Sequence, residues 1–85
     1  MIKNKDNPVQ WALLMYELAD AQEHLGKIFD EMNAKGEIDE AEYGIVLGHV
    51  YSHLNRAWNS RNRTKDVDDR QFEDESHFPK DIKPI

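Results

Sequence analysis

Seven apolar residues, Trp11, Leu14, Leu18, Ala21, Leu25, Ile28 and Met32, recur at alternating intervals of three and four. That spacing puts all seven on one face of a single helix, the seam pattern of helices that pack lengthwise. A seam this long needs an equally long surface to lie against. The chain is therefore constrained to long helices packed side by side.

The local signals set the ends of these helices. Asn7-Pro8 is a helix start: an Asx N-cap followed by proline at the position where its missing N–H costs nothing. Gly36 is placed to end the helix in the left-handed conformation, with Lys35 favourable for the dipole. The first helix is expected over residues 8–35, roughly 42 Å at about 1.5 Å per residue. Gly26 is its one weak point. Asp39-Glu40-Ala41-Glu42 reads as a capping box, flanked by Ile38 and Tyr43 as a staple. A second helix is expected over residues 40–59, with Tyr43, Leu47, Val50, Leu54 and Ala57 along its seam and Trp58 beside it. The short connection makes the pair an antiparallel hairpin.

Residues 61–85 form a polar and acidic C-terminal arm. Thr64 is a candidate cap for a short third helix over about 66–75, with Val67 and Phe72 on one side. Phe72, Phe78, Ile82 and Ile85 are the arm's apolar anchors, either for a self-strap on the hairpin or for a protein partner.

A chain of 85 residues makes one domain, and it has no cysteine, so neither a disulfide nor a thiolate metal site can support a small core. The net charge of −6 argues against generic attraction to nucleic acid or anionic lipid. No apolar run is long enough to span a membrane, and the N-terminal residues do not read as a signal peptide. A cytoplasmic location is expected.

The apolar surface is wider than the strip between two helices. A two-fold dimer forming a four-helix bundle is the expected solution, with a folded-back arm as the alternative. Trp11, Leu14, Leu18, Leu25, Phe29, Gly44 and Gly48 are the expected interface, the two glycines forming with Ser52 a groove of small residues on the second helix.

Two clusters carry chemical potential. Asp20, His24, His49 and His53, with Glu17 and Glu42 nearby, fall on the same side of the hairpin. Their height is similar if the turn lies near residues 37–38. Imidazoles four apart on a helix, with a group from the next helix, suit a divalent metal such as zinc. The structural alternative is a set of hydrogen-bonded boundary residues. Arg56, Trp58, Arg61 and Arg63 are candidates for gripping phosphate and stacking a base. The acidic run that follows offers neutralisation within the chain. Ser52, Ser60 and Ser76 sit in no nucleophile context. The leading expectation is a non-enzymatic protein-interaction or adaptor module. A metal-binding bundle comes second, and a phosphate or nucleic-acid binder third.

Overall fold

The computed structural model describes residues 1–64 and 68–85, whose regular elements are three helices, with no strand among them. Helix α1 runs Pro8–Lys35, α2 runs Glu40–Asn59 and a short α3 runs Asp69–Glu75. α1 and α2 lie antiparallel: Gln10 meets Ser60, Glu17 meets His53 and Arg56, and His24 meets His49. α3 rests on α2 and not on α1. No helix among the described residues is long and apolar enough to cross a membrane.

The ends of α1 and α2 follow their capping residues. The Asn7 side chain accepts the Gln10 N–H at 3.2 Å, with Pro8 at the first helical position. Gly36 takes φ +69° and donates its N–H to Met32 O at 2.8 Å, a left-handed close that favours glycine. Asp39 accepts the Glu42 N–H at 3.2 Å, the capping half of the expected box.

The third helix departs from expectation. It starts later and is capped by Asp68, whose side chain accepts the Gln71 N–H at 2.9 Å, rather than by Thr64. An aspartate directly before the first turn satisfies a free N–H and sets a negative charge at the positive end of the helix. Val67, expected beside Phe72, lies outside the described residues, as do Lys65 and Asp66.

The apolar stripe of α1 is only partly used against α2. Leu14, Ala21 and Ile28, with Val50 from α2, are the buried apolar core. Leu18 and Leu25 remain 46% and 49% exposed. The line facing α2 is completed instead by Gln10, Glu17 and His24, which sit on the other flank of the Leu14–Ala21–Ile28 row. The reason is on α2, where His53, Arg56 and Ser60 are buried polar groups that need hydrogen-bonding partners. Rotating the polar flank of α1 inward supplies them and turns the apolar flank out.

The arm also differs from a greasy strap. Phe72, Phe78, Ile82 and Ile85 all stay exposed. Polar side chains hold the arm instead: Asn55 donates to Ser76 O at 2.8 Å, and Asn59 donates to Glu75 O at 2.8 Å and to His77 O at 3.0 Å. Pro79 is the arm's one buried residue among those described.

A Cβ added at Gly26, Gly44 or Gly48 would meet nothing within 4 Å, so this chain itself does not fill the expected groove of small residues. Gly26→Ala should therefore raise stability by up to about 1 kcal/mol, from helix propensity alone. Urea unfolding with an unchanged slope measures this. A loss of stability would mean that something packs on that face.

Candidate functional site

The hairpin has two unlike edges. One is apolar: Trp11, Met15 and Leu18 of α1 and Leu54, Ala57 and Trp58 of α2 line an open groove with Ile2 from the N-terminal segment. Leu25 and Phe29 lie further along α1, both exposed. The other edge is polar and carries the histidines.

On the polar edge, His24 of α1 reaches across to His49 and His53 of α2. The Nε2 atom of His49 lies 3.1 Å from Nε2 of His24 and 3.1 Å from Nε2 of His53. The rings of His24 and His53 are nearly parallel, 13° apart, and His49 stands edge-on to both. One nitrogen from each ring lies within 4.8 Å of the others, the one such converging group of histidines and carboxylates among the described residues. His53 is buried, His24 half-buried and His49 exposed.

Glu17 lies outside this converging group and against His53. Its Oε2 lies 2.9 Å from His53 Nδ1, and Arg56 Nη2 lies 3.1 Å from the same nitrogen. Arg56 Nε donates to both Glu17 oxygens at 3.0 and 3.2 Å. The guanidinium also donates to Ser76 Oγ at 2.9 Å and lies 4.4 Å over the Phe72 ring. Arg56 thus ties the histidine cluster to α3. Asp20 is exposed and acts on His49 only through its charge, and Glu42 sits at the turn with Asp39 and Lys35.

The surroundings push the His49 imidazole below its ordinary value. Partial removal from water is the main cause, followed by the like charge of His53, His24 and Arg56, with Asp20 opposing.

The basic residues expected to grip phosphate are paired within the chain. Arg56 is held by Glu17. Arg61 stacks 3.9 Å over the Trp58 ring and bonds Asp81 at 3.2 Å. Arg63 pairs with Glu75, and Trp58 donates its indole N–H to Asp81 at 2.9 Å. The acidic arm neutralises the basic end of α2. The hydroxyls of Ser52, Ser60 and Ser76 each donate to a carbonyl of their own helix, at Gly48, Arg56 and Phe72.

Sequence reasoning found the three histidines but missed Gln10, Arg56, Asn55 and Asn59 as structural polar groups. A signal for two of them exists: Gln10, Glu17 and His24 recur every seven residues on α1, facing His49, His53, Arg56 and Ser60 at spacings of four, three and four on α2. No family model, curated protein or solved structure matches this chain.

Two outcomes follow from this network. Glu17→Ala leaves the buried Arg56 charge without its carboxylate and should cost about 3–5 kcal/mol in chemical unfolding. A loss under about 1 kcal/mol would show that water already screens the pair. The second outcome concerns Asp81, whose carboxyl is held below the ordinary value of 3.8, chiefly by the Trp58 N–H. A carboxyl depressed in the docked state stabilises docking above 3.8 and loses that effect as pH falls through its lower docked value. Tryptophan fluorescence should therefore change on acidification below that point in the native chain. Asp81→Asn should lack that component.

Proposed function

We propose that this chain is a self-associating interaction module whose apolar edge packs against a second copy to form a four-helix bundle. The observation that carries this reading is the row of large side chains left open along one edge: Met15, Leu18, Leu25, Phe29 and Leu54 are each 43–67% exposed. Covering the exposed half of each contributes about 1–2 kcal/mol.

The size of the exposed surface supports it. The chain exposes 6924 Å², whereas a compact monomer of its mass, 10.0 kDa, exposes about 5,200 Å². The excess, about 1,700 Å², is roughly twice what one partner buries in a standard interface. The radius of gyration, 14.8 Å, likewise exceeds the roughly 12 Å of a compact chain this long.

The shape of the edge favours an identical partner. Its groove lies beside Trp11, Met15 and Leu18, and its projecting residues, Leu25 and Phe29, lie about two to four turns further along α1. A two-fold axis near residue 20 brings the ridge of each copy onto the groove of the other, an isologous contact. In this arrangement the histidine edge faces outward on both copies.

Sedimentation equilibrium should give twice 10.0 kDa, and the melting temperature should rise with protein concentration. The double variant Leu18→Lys/Leu25→Lys should lose both behaviours. A native chain that runs as a single copy with a concentration-independent melt would refute the reading.

A further inference from the structure

We infer that His24, His49 and His53 form a binding site for a zinc-class divalent ion, with Glu17 orienting His53 from behind. The site is complete within one chain and lies on the edge opposite the proposed self-association face.

The argument starts from a count of protons. Each ring nitrogen offers either one hydrogen or one lone pair. His49 Nε2 has two neighbours, His24 Nε2 and His53 Nε2, each at 3.1 Å. Whatever the protonation state, one proton or one lone pair at His49 must serve both. Protons alone therefore leave one of the two close approaches without a full hydrogen bond. A cation among the three rings removes the conflict, because all three nitrogens can then present lone pairs to it.

The geometry fits such an ion. Tetrahedral zinc with Zn–N bonds of about 2.0–2.1 Å sets ligand nitrogens about 3.3 Å apart. Two of the three separations here are 3.1 Å, close to that value, and the third is no more than 4.8 Å. The donors come from two helices: His49 and His53 are four apart on α2, and His24 crosses from α1. An ion there would join the two long helices, a staple of the kind a small cysteine-free domain lacks.

The groups around His53 bear on its tautomer. An ion at His53 Nε2 needs that atom bare and Nδ1 protonated. Glu17 Oε2, 2.9 Å from Nδ1, favours that form, whereas an Arg56 N–H 3.1 Å from the same atom favours the other. A carboxylate on the far nitrogen of a ligating histidine raises its basicity and fixes its ring, the usual support behind a metal ligand. The charges facing the site are mixed. Glu17 and Asp20 favour a cation and the Arg56 guanidinium, 3.1 Å from His53 Nδ1, opposes it. Three imidazoles with no oxygen ligand suit zinc, nickel or copper and exclude calcium and magnesium. The exposed side at His49 leaves room for water as a fourth ligand.

The test uses the full metal-free chain titrated with zinc chloride. Calorimetry should give one ion per chain, and the melting temperature should rise with zinc concentration. His24→Ala and His49→Gln should each abolish the rise, and His77→Ala on the arm should leave it intact. Glu17→Gln should keep the stoichiometry and weaken affinity by about 10–100-fold. Circular dichroism of the metal-free variants separates lost binding from lost folding. Cobalt(II) bound to the native chain should give the intense visible absorption of a four-coordinate site, a reading that needs no variant. No heat and an unchanged melt in excess zinc would overturn the inference. So would a rise that survives His24→Ala and His49→Gln, or a weak octahedral cobalt spectrum.

Discussion

A guanidinium that is 8% exposed must have a carboxylate, and the rest of the hairpin is arranged around that need. Arg56 sits on the face of α2 that meets α1, where an uncompensated charge costs several kcal/mol. Glu17 is the residue of α1 that can answer it at this level, and both its oxygens accept from Arg56 Nε. Placing Glu17 inward sets the rotation of α1. Gln10, one heptad earlier, then reaches Ser60 O at 2.6 Å, and His24, one heptad later, reaches His49. One ion pair thus determines which flank of a 28-residue helix faces its neighbour.

The same rotation explains what the hairpin leaves open. Leu14, Ala21 and Ile28 stay central in either arrangement, since they lie between the apolar and the polar flanks. Turning the polar flank in turns Trp11, Leu18 and Leu25 outward by the same angle. Isolated hydrophobic burial would favour the opposite choice, since each leucine left half-wet forgoes about a kcal/mol. The polar groups of α2 outweigh it because their desolvation cost has no other relief. The histidine cluster and the apolar edge are therefore two results of one packing decision.

The element boundaries were legible in the sequence because capping is local. Asn7-Pro8, Gly36 and Asp39 act within one turn, and α1 and α2 run over the expected 8–35 and 40–59. The rotation of α1 was not legible from apolar periodicity alone. Hydrophobic spacing gives a stripe about a third of the helix wide and says nothing about which part of it meets the partner. The polar heptad of Gln10, Glu17 and His24 carried that information. It is read only when both helices are considered together. The histidines could be grouped from spacing and level, which place residues to within about a turn. Asp20 could not be separated from Glu17 at that precision, and the structure sets Glu17 behind His53 with Asp20 exposed. How the arm is held was not legible for a related reason. Its apolar residues suggested anchors for the hairpin or for a partner, whereas Asn55 and Asn59 capture its backbone carbonyls.

The two edges also bear on each other through stability. Among the described residues the buried apolar core is Leu14, Ala21, Ile28 and Val50, a slight one, and a domain of this size needs support beyond it. A second copy on the apolar edge and an ion on the polar edge would each bind only the folded hairpin, and on opposite sides. Neither blocks the other, and each raises the population of the helix alignment that the other requires. Such linkage gives positive coupling even though the sites share no atom. The coupling path is short, because Ala21 of the core lies about one turn from each of Glu17, Leu18 and His24. Loosening the Glu17–Arg56 pair would let α1 rotate and degrade both edges together. Disrupting either edge alone would leave the pair in place, so the other edge would lose only the support that the coupling gives it.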